Sequence, residues 1–166
     1  MNHSHDHEVF MRRCVTLAEE SLREGDLPFG SVLVRDGEIV AEAKNTAITL
    51  RDITGHAEVN VMRDVFRAFP NFDFSRCTLY TNFEPCAMCA FLIRDIGVGS
   101  VVFGAASPHV GGYSRWDILD HTLLRPEFTT NHVATPPVVV EGVLKEEIDR
   151  TFDDLKWLMH HADSPL

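Results

Sequence analysis

The chain has 166 residues, 45% apolar and 24% charged, with 25 acidic side chains against 15 basic and a formal charge of −10. That describes one globular domain with enough apolar material for a core, and it excludes coiled coil and intrinsic disorder. No apolar run approaches the roughly 20 residues of a membrane span, residues 1–9 lack the apolar stretch of a secretory signal, and the negative charge argues against nucleic acid or an anionic membrane as partner.

Residues 1–7, polar and punctuated by His3, His5 and His7, read as a frayed terminus, and residues 8–161 as a single domain. From Glu8 to about Glu24, Phe10, Cys14, Leu17 and Leu22 recur at near-helical spacing, and Gly25-Asp26 stops that helix. Ser31–Val34 and Glu38–Ala41 flank Asp36-Gly37, the signature of a β-hairpin. After a polar connection, His56 to Phe69 aligns Val59, Met62, Phe66 and Phe69 on one helical face, with Pro70 as the stop. Cys77–Thr81 has the β-branched and aromatic content of a strand. Pro85 suits a first helical position, so Cys86 to about Asp95 reads as a short helix. Ser100–Gly104 is a strand apolar enough to be buried on both faces, and Pro108–Gly112 is a loop. Val138–Val140 is a further strand, and Lys145 to His160 an amphipathic helix carrying Ile148, Phe152, Leu155 and Leu158. Strands alternating with helices predict a three-layer α/β/α domain on a five-stranded mixed, largely parallel sheet with helices on both faces.

Two short segments carry the chemistry. His56-Ala57-Glu58 opens one predicted helix, and Pro85-Cys86-Ala87-Met88-Cys89 opens the next. Cys-x-x-Cys in a chain without a secretory signal points to a reducing, cytoplasmic setting and to a metal or redox site. A redox pair has no need of a histidine in the matching place on the preceding helix. Zn²⁺ is satisfied by imidazole and thiolate, and three protein ligands leave a fourth position for water, whose pKa falls toward ~7. The helix N-terminus favours thiolate over thiol, and i, i+3 spacing puts both sulfurs on one side. Glu58, two positions after His56, is placed to shuttle protons for that water rather than to join its coordination shell. Attack on an amidine carbon needs such a shuttle, so the reaction class is hydrolytic deamination. Cys14 and Cys77 read as buried small apolar residues, and His109, His121 and His132 as surface or neighbouring residues outside the motif.

H-x-E followed by P-C-x-x-C is the zinc deaminase signature. The chain resembles the cytidine deaminase-like superfamily, in the branch that holds guanine, cytosine and tRNA adenosine deaminases. The resemblance runs through Pro28-Phe29-Gly30, Asp36-Gly37, Asn45, His56-Ala57-Glu58-Val59, Glu84-Pro85-Cys86-Ala87-Met88-Cys89 and Val101–Gly104. It implies His56, Cys86 and Cys89 as zinc ligands, Glu58 as proton shuttle, and a homodimer. It further implies that the Ala57 N–H and the Asn45 amide bond the base, and that Phe29 and Phe83 wall the pocket.

The first half is most similar to guanine deaminases, whereas Asp117–Leu119 and Glu141–Leu144 are similar to tRNA adenosine deaminases. An insert over Asp120–Pro137 matches neither group, and the tail Lys156–Asp163 has almost no basic character. Arg94, Arg115 and Arg125 are the candidates for a phosphate-binding patch. The charge balance favours a free purine-type base or nucleoside, guanine before cytosine, with tRNA adenosine deamination and a non-catalytic zinc scaffold as alternatives. Trp116, with Tyr113 beside Gly111-Gly112, is a candidate for stacking on the base.

Overall fold

A computed structural model describes residues 3–120, 135–150 and 152. The elements run α1 (His3–Arg23), β1 (Gly30–Arg35), β2 (Glu38–Lys44), α2 (Ala57–Ala68), β3 (Cys77–Phe83), α3 (Ala87–Ile96), β4 (Ser100–Ala105) and β5 (Val138–Val140), with residues 145–150 helical again. Among the described residues no helix is long and apolar enough to cross a membrane.

The sheet is five-stranded and mixed, in the order β2-β1-β3-β4-β5. Asp36 and Gly37 both take positive φ (53° and 82°), the backbone of a type I′ turn, and close the β1–β2 hairpin. β1 is antiparallel to both β2 and β3, while β3–β4 and β4–β5 are parallel. The expected largely parallel sheet is therefore only half parallel, because the hairpin folds β1 in between β2 and β3. One consequence sets up the site. Since β2 and β3 both oppose β1, they run the same way, and α2 and α3, which follow them, start at the same end of the sheet.

Alternation along each strand sends one set of side chains to each face. Leu33, Leu79, Val101 and Phe103 pack with Val61, Met62 and Val65 of α2 and Ala90 and Ile93 of α3. Val32, Val34, Tyr80 and Val102 pack with Met11, Cys14 and Leu17 of α1 and with Ile148. Cys14 and Cys77 are buried among these residues, as expected.

Four local expectations need correction. α1 begins at His3 rather than Glu8, and the His7 ring lies 2.9 Å (Nδ1) from the Tyr80 hydroxyl. α2 buries Ala57, Glu58, Val59, Val61, Met62 and Val65, so Val59 and Met62 are buried as expected, but Phe66 and Phe69 are 67% and 53% exposed. Pro85 stands outside α3, before its N-cap Cys86. Residues 121–134, 151 and 153–166, which include His121, Arg125, His132 and the tail Lys156–Asp163, lie outside the described residues.

Gly30 marks the tightest approach of α1 to the sheet. A Cβ there would meet the Cys14 carbonyl at 2.3 Å and the Leu17 Cβ at 2.6 Å, both rigid neighbours. Gly30→Ala is expected to lower stability by about 1–3 kcal/mol, the usual cost of overpacking, and chemical denaturation measures it.

Candidate active site

His56 and Cys86 occupy the same station on two helices. Each is an N-cap with extended backbone (φ −70°, ψ 147° and φ −66°, ψ 171°), and neither side chain caps its own helix. The imidazole and thiol turn toward each other instead. His56 Nδ1 lies 3.6 Å from Cys86 Sγ and 3.4 Å from Cys89 Sγ, and the two sulfurs are 3.5 Å apart. A tetrahedral zinc with ordinary bond lengths asks for N···S and S···S edges of roughly 3.6 and 3.8 Å. The donor set and its spacing fit that ion, so His56, Cys86 and Cys89 could hold it.

Ala57, fully buried, is the first residue of α2, and Glu58 follows it at 6% exposure, its carboxyl on the pocket wall. Burial pushes that carboxyl up to about 7, and negative charge on Cys86 adds to the shift. The neighbouring Cys89 thiol hydrogen-bonds Cys86 and draws its pKa down to about 4, while Cys89 itself is raised.

Above these groups opens a cavity of about 550 Å³. Phe29 and Phe83 line it in edge-to-face contact with each other (centroids 5.7 Å, 82°), and Phe152 packs tilted at 48° against Phe83 at 4.6 Å. Residues 106–110 form the opposite wall, with His109 exposed at the rim. Glu84, 3% exposed, ties that wall down. Its carboxylate accepts from the N–H groups of Ser107, Tyr113 and Ser114 and from the Ser114 hydroxyl, at 2.6–3.0 Å. A Cβ on Gly111 would sit 2.1 Å from this carboxylate.

Asn45 is 1% exposed and held from three sides. Its N–H donates to the Phe29 carbonyl (2.9 Å), its carbonyl accepts from the Ser21 hydroxyl (3.0 Å), and its side-chain amide donates to Asp26 (2.6 Å). Burial alone would raise the Asp26 carboxyl. Bonds from the Thr49 N–H and hydroxyl, the Asn45 amide and the Leu27 N–H outweigh it and hold the carboxyl down to about 2.

The structure thus brings His56, Ala57, Glu58, Cys86, Cys89, Phe29 and Phe83 together, with Asn45 bonded to the Phe29 wall. It does not bring Trp116 to the pocket. That ring is 55% exposed with the Arg115 guanidinium over it, and Tyr113 packs on Phe103 instead. Arg94 is buried and donates to the Ile118 carbonyl, so it contributes nothing to a surface patch. Asp26, Glu84 and Phe152 enter the sequence reading only as part of a helix stop, a motif residue and an apolar helix position, without a role in the site. For the two carboxylates the available signal was an acidic residue wedged against turn or strand residues (Gly25 and Leu27-Pro28; Phe83 and Pro85), where burial demands partners.

The model of the cytidine and deoxycytidylate deaminase zinc-binding region matches residues 4–105. The chain belongs to this deaminase family. The chain is 38% identical to the tRNA-specific adenosine deaminase of Bacillus subtilis (strain 168) over 84% of its own length and 82% of that protein's. To the guanine deaminase of the same organism it is 45% identical over 51% of its length, spanning 54% of that protein, and it spans 8% of a longer chloroplastic relative from Arabidopsis thaliana. A solved structure from studies of A-to-I editing by tRNA:A34 deaminases superposes with a TM-score of 0.75 at 27% identity, covering 85% of this chain and 96% of that one. The cytidine deaminase-like fold expected from the sequence is the fold observed.

The depressed Asp26 carboxyl has a consequence for stability. A group lowered from 3.8 to about 2 stabilises the fold fully above pH ~4, and the contribution is lost as pH falls through about 2. Asp26→Asn is expected to cost about 2 kcal/mol at pH 7, with the gap to the parent closing below pH ~4 in denaturant titrations.

Proposed function

We propose that the protein is a zinc-dependent hydrolytic deaminase of a free aminated purine base or nucleoside, guanine-type, acting in the cytoplasm as a homodimer. The observation that carries the chemistry is the placement of Glu58 beside one imidazole and two sulfurs on the floor of an aromatic-walled pocket. Bound in that donor set, zinc supplies water made nucleophilic at neutral pH. Phe29 and Phe83 hold a planar ring and exclude bulk solvent. Glu58 takes a proton from the attacking water and delivers it to the ring nitrogen next to the aminated carbon. It then passes the second water proton to the amine, the C–N bond breaks, and ammonia leaves as the carbonyl forms.

The pocket wall supports a small substrate. Its described lining carries the carboxylates Glu58, Glu84 and Asp149 and no lysine or arginine, so a phosphate backbone finds no counter-charge there. A second reading, deamination of adenosine in tRNA, is supported by the 38% identity over 84% of the chain to a tRNA-specific adenosine deaminase. That relative removes the ground for dismissing nucleic acid as a partner. The homodimer is supported by the exposed Phe66 and Phe91 and by the apolar groove between α2 and α3, lined by Val59, Met62, Leu92 and Ile96.

Ammonia release should be screened over guanine, adenine, cytosine, their nucleosides and an anticodon stem-loop with adenosine at the wobble position. Guanine is expected to give the highest kcat/KM, and a strong preference for the stem-loop, falling steeply with salt, would select the second reading. Glu58→Ala is expected to keep its zinc by elemental analysis and to lose roughly 10²–10⁴ in kcat; full activity in this variant would refute the shuttle. Cys89→Ser is expected to lose zinc and activity together. Sedimentation should give twice the 18.7 kDa chain mass.

A further inference from the structure

After β4 the chain leaves the sheet at Ala105 and comes back to the pocket floor at Gly112, whose N–H donates to the Pro85 carbonyl (2.7 Å). Between these points Pro108, His109 and Val110 stand exposed along the rim of the pocket. Both feet of this excursion rest on one side chain. At the outgoing foot, Glu84 Oε2 accepts from the Ser107 N–H (2.7 Å). At the returning foot, Oε1 accepts from the N–H groups of Tyr113 (3.0 Å) and Ser114 (2.6 Å), and the Ser114 hydroxyl donates to Oε2 (2.7 Å). Glu84 is itself fixed to the sheet: it directly follows β3, and its N–H donates to the Ala105 carbonyl at the end of β4 (2.8 Å). Gly111 crosses so close above it that a Cβ would lie 2.1–2.5 Å from the carboxylate atoms.

Each oxygen of Glu84 already accepts two bonds, which fills its lone-pair sites, so the group borders the pocket without a free acceptor for a substrate. Its partners are all donors. A carboxylate serves both feet at once, whereas a neutral amide serves one and turns its NH₂ against the N–H groups of the other. We infer that Glu84 is a positioning residue that clamps both feet of residues 107–114, sets the height of the rim, and thereby makes the pocket favour a free base over its nucleoside. This rests on the deaminase reading of the pocket. The aminated carbon of a purine must reach the floor beside Glu58, and the sugar-bearing nitrogen lies in the other ring. A ribose therefore points to the mouth, where Pro108, His109 and Val110 stand.

The test uses the zinc-loaded full chain with guanine and guanosine as probes. Glu84→Gln is expected to raise KM for guanine roughly tenfold with kcat within about threefold, and to let guanosine gain on guanine in kcat/KM by roughly tenfold. Ser114→Ala removes a single bond of the clamp. It is expected to move both quantities the same way by about two- to threefold, and to add little in a Glu84→Gln background. Amide hydrogen exchange gives a readout independent of turnover: the N–H groups of Ser107, Tyr113 and Ser114 should be protected in the parent and exchange faster in Glu84→Gln, with Leu33 and Leu79 in the sheet unchanged. Faster exchange with KM and the guanine-to-guanosine preference both unchanged would make Glu84 a holder of the fold only and overturn the assignment. Unaltered exchange at the three amides, or effects of the two substitutions that multiply, would overturn it as well. Should Glu84→Gln not fold, Ser114→Ala decides alone, and an unmoved preference refutes the clamp. If the parent releases ammonia from neither probe, the substrate reading fails, and the clamp stands or falls on the exchange of the three amides.

Discussion

Two helices that begin side by side are the constraint on which everything else depends. β2 and β3 run in the same direction because both oppose β1, and the helices after them must therefore start at one end of the sheet. This places His56 and Cys86 at facing N-caps and brings Cys89 within the same turn. The partial positive charge of the α3 N-terminus favours thiolate at Cys86, whereas burial pushes the Glu58 carboxyl up to about 7. The apolar core beneath, from Leu79 and Phe103 to Val61 and Ile93, packs both helices against the sheet and so holds the donors in register.

The donors were legible in the sequence because their information is local. Cys-x-x-Cys and His-x-Glu describe positions within single helical turns, and Asp-Gly describes a turn of two residues whose observed positive φ values are what that dipeptide is used for. The same locality explains the errors. In α2 the apolar pattern misleads at its far end: Phe66 and Phe69 look like core, but both rings lie on an outer face, while Glu58 takes a buried position on the pocket wall. Hydrophobic periodicity fails where a functional carboxylate is put on the buried side.

Asp26 and Glu84 were illegible for another reason. Each is buried as an acceptor for backbone N–H groups that arrive from other parts of the chain: residues 48 and 49 for Asp26, residues 107, 113 and 114 for Glu84. Nothing within a few positions announces these partners. Trp116 illustrates the converse. A large aromatic beside a glycine pair suggested a base platform, but the chain from Gly112 to Leu119 is drawn inward by Tyr113, Arg94 and Leu119, and this leaves the indole outside.

The strap across the pocket is tied to the very stretch that carries a donor sulfur. Glu84 grips residues 107–114 through its carboxylate, the Pro85 carbonyl accepts from the Gly112 N–H, and Ala87 donates to the Val110 carbonyl, on either side of Cys86. Wall and floor thus form one mechanical unit. A larger guest that pushes residues 107–110 outward must also pull on the stretch that anchors Cys86, so reshaping specificity through this segment moves the Cys86 thiol as well.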